Sequence, residues 1–473
     1  MMRPFFPRTA AALLAASALA GCAVGPDYRG PPAVAPQAQA SPGFHRAEAV
    51  GVMAGPPAAK WWTTLGDPEL DRLVEAALAH SPDVEAAQAR LRQSRALLKG
   101  EQRARLPSIA ANAAVIDVNG LPIGGGGSTQ LYNAGFDATW EVDLFGGKQR
   151  AVQSAAAQAD AVQADLEDLR VSLAAETAQA YVDLRDQQQR RAITQASAEL
   201  EARMVDLATQ RQGQGVDSDL DVERLRSQLE STRAAVIPIS GQIEESLDRL
   251  AVLTGREPGA LDAELGAPGQ VPDLPAVVAV GDPARLLRSR PDIRAAERRL
   301  AGQTAVVGQR TAELFPKLNL IGVIGWGGTD LGRIFDNTTE AAAPILQWNI
   351  LDMGRTRARI GQAEAGRDEA EARYRGVVLA ALKDAETALS RLGSARRNVV
   401  ALARVEASAG RAATLTRQRQ AAGVANIIDV LDTERTRLAA EQNEQAARAQ
   451  LTQAYVSLQK SLGLGWEARD AAG

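Results

Sequence analysis

From Lys148 to Arg211 the chain contains neither proline nor glycine and is dense in Ala, Gln, Glu, Arg and Leu. Strong helix formers over about 63 residues predict one helix about 95 Å long at 1.5 Å per residue. The break Gly213-Gln214-Gly215 ends it, and a second helical stretch runs from about Asp217 to Leu253, with Pro238 as the expected kink. Before the long stretch, Ser81 is a good N-cap, Pro82 suits the first helical turn, and Pro107 stops a helix near Ala104. The later chain predicts helices over about 291–313, 356–421 and 426–461. In each half the two shorter helices together are about as long as the long one. Stacked end to end they would lie beside it, as a long hollow cylinder of helices requires.

The remaining patterned segments, about 106–145 and 315–351, have a period of two. Tyr132, Ala134, Phe136, Ala138, Trp140, Val142 and Leu144 alternate with Asn133, Gly135, Asp137, Thr139, Glu141 and Asp143. This is a β-strand with one apolar and one acidic face. Leu346, Trp348 and Ile350 alternate with Gln347 and Asn349; Leu318, Leu320, Ile324 and Trp326 are looser, and Ile109–Val118 is the weakest strand. Gly124–Gly127 is the expected turn of the first pair. A soluble four-stranded sheet packed on helices would satisfy the lengths. The alternation, with Tyr132, Phe136, Trp140 and Trp348 on the membrane-facing side, fits an outer-membrane barrel better. Four strands cannot close, and open edges cannot sit in lipid, so copies must assemble.

The chain is written twice. Ser81-Pro82-Asp83 is echoed by Arg290-Pro291-Asp292, Trp140 and Gly146 by Trp348 and Gly354, and Gly215-Val216 by Gly423-Val424. The offset stays at about 208 residues over most of each half, which marks one long duplication rather than a short-period solenoid. The expected division is a signal segment 1–21, a tether 22–57, repeats 58–255 and 284–466 around a linker 256–283, and a tail 467–473.

Composition narrows the function. A net charge of −4 argues against nucleic acid. One cysteine, Cys22, and two distant histidines leave no disulfide and no zinc or catalytic histidine centre, so no cofactor, metal or enzyme is expected. Arg3 and Arg8 precede an apolar stretch too short to cross a bilayer, ending in Leu19-Ala20-Gly21-Cys22. These four residues resemble a bacterial lipobox. By that resemblance Cys22 carries a covalent lipid, and Ala23 rather than Asp implies sorting to the outer membrane. The Pro-, Ala- and Gly-rich residues from Gly25 to Pro57 read as an extended tether.

Taken together, Gly25-Pro26-Asp27-Tyr28, Trp61-Trp62 leading to Gly66-Asp67-Pro68-Glu69-Leu70, Trp140-Glu141-Val142-Asp143-Leu144-Phe145-Gly146, Ser289-Arg290-Pro291-Asp292-Ile293 and Asp429-Val430-Leu431-Asp432 carry a family resemblance. The chain resembles outer membrane factors of the TolC/OprM superfamily, in the NodT-type lipoprotein branch. The resemblance implies a homotrimer with a 12-stranded β-barrel on a periplasmic α-barrel, and a mixed belt near 58–80, 256–290 and the C-terminal segment. It implies passive export through a tripartite system with a periplasmic adaptor and an inner-membrane pump of the RND type. A type I secretion channel and, from another class, a periplasmic adaptor lipoprotein are the alternatives.

The turns carrying Gly213, Gly215 and Val216, and Gly423 and Val424, are the expected adaptor-contact tips. Asp429 and Asp432, at i and i+3, share one helix face. In a trimer they would form two acidic rings at a pore constriction; the competing reading is a pair of first-turn acids favoured by the helix dipole after Asn426. The Arg and Tyr that latch the best-known relatives are replaced here by Ala425 and Gln420, so that latch cannot form.

Overall fold

The computed structural model describes residues 23–47, 51–118 and 129–466. Cys22, Gly124–Gly127 and the tail 467–473 lie outside them, as does the signal segment. The main elements are α1 (Pro68–His80), α2 (Pro82–Arg103), β1 (Ser108–Val118), β2 (Thr129–Val142), α3 (Gly147–Gly213) and α4 (Asp219–Leu253). The second half supplies α5 (Pro283–Ser289), α6 (Pro291–Ala312), β3 (Lys317–Gly328), β4 (Thr338–Gln347), α7 (Met353–Ala421) and α8 (Ile427–Ser461). α3 and α7 have 67 and 69 residues, α2 and α6 have 22 each, and α4 and α8 have 35 each. The duplication is therefore visible in every paired element. α4 runs through Pro238, which lies exposed in the helix.

The fold divides into two compact units that cut across the repeats, each drawing on both halves. The first takes the chain up to Ala33, Ala89–Ala164 and Arg294–Gly376. Its centre is an antiparallel sheet of order β1-β2-β3-β4. β1 is a full 11 residues although four of them are alanine. Pairing with β2 along its whole length overrides its modest propensity. The register aligns Ala111, Phe136, Ile324 and Glu340 in one row and Leu320, Trp140 and Pro344 in another. Directly opposed residues share a face, so Phe136, Trp140, Leu318, Leu320 and Ile324 build one apolar surface. Ser108, Asn112, Asp137, Thr139, Glu141 and Asn319 fall on the other.

β4 stops at Gln347, short of the predicted strand; Trp348 follows it and Ile350–Asp352 form a 3-10 turn. The Trp348 indole donates from Nε1 to the carbonyl of Leu314, 3.0 Å away, and ties the chain just past the strand to the end of α6. Trp348 thus stands one residue beyond the end of β4.

The N-terminal segment also departs from expectation. It is not a free tether. Val24 N–H donates to Phe145 O at 3.1 Å. The buried Arg150 reaches Val24 O, Gly25 O and the Asp27 carboxylate, the last at 2.7 Å. Gly25, at φ +86°, lies so close to α6 that a Cβ there would sit 2.5 Å from Gly308 Cα. Tyr28 Oη donates to Glu297 at 3.2 Å, while Arg298 lies 5.7 Å from its ring centroid.

The second unit, Val34–Gln88, Asp165–Ile293 and the chain from Val377 on, packs around Trp61 and Trp62. Trp61 meets Trp62 and Tyr455 edge-on at 5.8 and 6.1 Å, and Thr64 Oγ1 lies 2.7 Å from Tyr455 Oη. Gly66 turns the chain at φ +66°, and Asp67 caps α1 through the N–H groups of Glu69 and Leu70. The same Asp67 accepts from Tyr181 Oη of α3 at 2.7 Å. The linker after α4 is bonded down too. Gln188 donates to Leu265 O at 2.6 Å, Arg185 to Ala267 O at 3.0 Å, and Thr452 to Pro272 O at 3.0 Å. The end of α4 abuts the junction of α1 and α2, where Gly255 lies against the carbonyl of His80, two residues before α2 begins; the end of α8 abuts the start of α6, where Arg290 Nη1 donates to Ser461 O at 2.6 Å. The short helices thus meet end to end in both halves.

Candidate functional site

The base of the sheet is one candidate region. Trp140 Nε1 donates to Arg105 O at 2.9 Å, just as Trp348 does to Leu314. Each acceptor stands two residues before the proline that opens its strand pair, Pro107 and Pro316. The repeated tryptophans therefore pin each strand pair to its preceding helix. Phe145 and Phe315 stack beside them at 4.7 Å. Ala23, the first described residue after Cys22, lies against Gly146 at this same junction. Tyr132, Phe136 and Trp140 share the apolar face of β2, and Phe136 and Trp140 are exposed there.

The other region lies where α3 and α7 end. Val216 N–H donates to Arg211 O and Gly215 N–H to Gln212 O; Val424 donates to Arg419 O and Gly423 to Gln420 O. Both are Schellman caps, with Gly215 at φ +72° and Gly423 at +77° in the left-handed region that glycine tolerates. Val216 and Val424 follow, 60% and 64% exposed. Gly213 is the last residue of α3 itself. Behind the turns, Met204, Ala208, Val222, Leu225, Ile427, Val430 and Leu431 form a buried core joining α3, α4 and α8.

Asp429 and Asp432 occupy different surroundings. The Asp429 carboxylate accepts from Asn426 N–H at 3.0 Å while Asn426 Oδ1 accepts from Asp429 N–H at 2.9 Å, a reciprocal capping box. Asp432, one turn on and exposed, lines a cavity of about 670 Å³ with Thr232, Gln228, Arg435 and Thr436. In the first repeat Ser218 is the N-cap, accepting from Asp221 N–H, and Asp217 pairs with Arg211 at 3.0 Å. Gln420 lends only its carbonyl to the Gly423 cap.

Sequence reasoning missed two arrangements. Arg150, which clamps Asp27, has no counterpart in the second repeat to flag it. Glu434 is buried between Arg417 at 3.1 Å and Arg437 at 2.8 Å, tying α7 to α8. In sequence they are three more charges in a charged helix. No group of three or more metal-ligating side chains occurs among the described residues. No described helix is long and apolar enough to cross a membrane.

Comparison with known proteins decides the family. The outer membrane efflux protein family matches residues 73–256 and again 283–464. This chain belongs to that family. It is 30% identical to outer membrane protein OprJ of Pseudomonas aeruginosa over 476 residues, covering 99% of this chain and 97% of OprJ. It is 29% identical to nodulation protein T of Rhizobium leguminosarum bv. trifolii, over 96% of this chain and 97% of that protein. The solved outer-membrane channel OprN superposes with a TM-score of 0.87 at 34% identity, covering 94% of this chain and all of OprN. The chain is an outer membrane efflux channel, and the double family match coincides with its two structural repeats. OprJ is named as an outer membrane protein and OprN as an outer-membrane channel.

Proposed function

We propose that three copies of this chain close their sheets into a 12-stranded barrel on a periplasmic α-barrel. The assembly conducts substrates passively from a periplasmic adaptor and an RND-type inner-membrane pump to the exterior. The observation that carries this reading is the sheet: one face carries the exposed aromatic residues Phe136 and Trp140, the other most of the polar side chains, with β1 and β4 left as open edges. Unpaired backbone groups on such edges cost several kcal/mol each in hydrocarbon, so edges must pair with other copies. The relatives support the same role, and the exposed Val216 and Val424 turns suit an adaptor contact.

Lipidated Cys22 anchors the protein, and no other cofactor is needed; the chain conducts and does not catalyse. The docked N-terminus favours this, because Ala23 lies at the base of the sheet, where aromatic residues that suit a membrane interface gather. Asp429 and Asp432 contribute carboxylate rings at the periplasmic constriction, with Asp429 oriented by its cap. The Arg417–Glu434–Arg437 pairs hold α7 to α8 in place of the absent latch.

The test is Cys22→Ser, followed by radioactive fatty-acid labelling and membrane fractionation. The expected outcome is loss of label and poor recovery of the heat-sensitive trimer in the outer membrane. Label retained by the variant would contradict the anchor.

A further inference from the structure

The connection between β3 and β4 is not a bare hairpin. Leu331–Asp336 forms a 3-10 turn that packs against β3 and β2, the two inner strands of the sheet. Its Phe335 ring meets the Trp326 indole edge-on at 5.6 Å, and Trp326 Nε1 donates to Thr338 Oγ1 at 3.1 Å. Trp326 stands opposite Ala134, two positions along from the Ile324–Phe136 pair, so it belongs to the apolar face. The turn is therefore folded back on the apolar side of the sheet. Within it Ile334 is buried, whereas Leu331 and Phe335 are 63% and 69% exposed.

These two side chains do not stand alone. The face continues past Trp326 through Ile324 and Phe136, both exposed, so Leu331 and Phe335 extend one apolar surface. A second copy does not cover them, because copies close the barrel through the edges β1 and β4 while the turn lies on β2 and β3. Charge points away from lipid phosphate, which basic clusters recognise. Asp330, Asp336 and Glu340 outnumber Arg333 here, and Asp330 fixes the turn by accepting from Gly332 N–H at 2.9 Å. Hydrocarbon is the occupant that remains. Trp326 is paired six residues along β2 from Trp140, about 20 Å at 3.4 Å per residue and so within an apolar band about 25 Å tall.

We infer that the Leu331–Asp336 turn is an interfacial membrane anchor, which seats Leu331 and Phe335 among the acyl chains of the outer leaflet. The inference rests on the proposed reading that the apolar face meets lipid. Trp326 then stands at the headgroup boundary, where indoles are favoured, and its stack with Phe335 holds the turn against the barrel wall.

The experiment uses the full-length trimer in vesicles of phosphatidylethanolamine and phosphatidylglycerol, with a nitroxide on Leu331→Cys. It reads collisions of the label with oxygen, which partitions into hydrocarbon, and with a water-soluble nickel chelate. Cys22 is the only native cysteine, so its background is read from the protein without the added thiol. Ala138→Cys and Thr139→Cys report the two faces of the sheet in the same vesicles. Leu331→Cys should behave like Ala138→Cys, with oxygen collisions several-fold above nickel ones, and Thr139→Cys should show the reverse. Adding Phe335→Ser should shift the Leu331→Cys label several-fold toward nickel; an unchanged ratio would overturn the part given to Phe335. A nickel-accessible Ala138→Cys would overturn the reading of the apolar face itself. A nickel-accessible Leu331→Cys beside an oxygen-accessible Ala138→Cys would overturn the anchor alone. A Leu331→Cys label reached by neither reagent would mean that protein covers the turn, and would likewise overturn it.

Discussion

Four glycines repeat at one spacing and one backbone angle, yet they differ in what surrounds them. Gly215 and Gly423 have nothing within 4 Å of where a Cβ would stand, whereas a Cβ at Gly255 would meet His80 O at 2.4 Å and one at Gly463 would meet Arg290 Cγ at 2.6 Å. An alanine at Gly423 meets only the left-handed penalty, about 1–2 kcal/mol. At Gly255 it also collides with backbone at the joint of α4 and α2. Gly423→Ala should therefore lower the thermal midpoint modestly and keep the trimer, while Gly255→Ala should sharply reduce trimer yield; equal losses would contradict the difference. The spacing of these glycines was legible in sequence. The space around them was not, because it depends on which helix end arrives beside each turn. Asp186 of α3 makes a second residue-scale point. Burial raises its carboxyl above the usual carboxylate range, Asp183 adds to this, and Arg190 offsets part of it. A raised folded-state value means the fold favours the protonated form, so stability is lost as pH rises through that value. Asp186→Asn should raise the unfolding temperature at and above neutral pH, and the gain should fade on acidification. A gain independent of pH would sink the burial argument.

At the scale of elements, the alternation along β2 held because both neighbouring strands pair with it in the same register. Ala138 lies on the apolar face opposite Ile109 and Gly322; Thr139 lies on the polar face beside Ser108 and Ile321. An arginine at Ala138 should cost about 2–4 kcal/mol near the bilayer midplane, while one at Thr139 is solvated. Trimer yield after Ala138→Arg should fall well below that after Thr139→Arg, and equal yields would mean that neither face meets lipid. Around Trp348 the period of two continues past the end of β4 at Gln347 into a 3-10 turn, because a side-chain pattern does not record where the ladder of backbone hydrogen bonds stops. The ends of the six predicted helices fall within about three residues of those observed, since glycine turns and prolines mark most of them, while α1 and α5 are too short to stand out in the pattern. β1 was weakest in sequence because its alanines carry little β preference of their own; its partner supplies the order.

For the whole molecule, duplication and alternation told the architecture, but the N-terminal segment was misread as a tether. Docking there uses a close Gly25–Gly308 approach and the buried Arg150, neither of which leaves a periodic trace. Its placement brings Ala23 and the aromatic residues together at the sheet base of an outer membrane channel. As proposed, Asp429 and Asp432 form the cation-binding entrance of a passive conduit. Six carboxylates in the trimer should bind multivalent cations from that side. The most direct measurement is single-channel recording of the purified lipidated protein in a planar bilayer, with a trivalent cation added to the helix-turn side. The account predicts discrete current steps, block by the trivalent cation, and marked relief of block in Asp429→Asn with Asp432→Asn. An assembled trimer that passes no current at any voltage, or a double variant blocked as strongly as the parent, would contradict it.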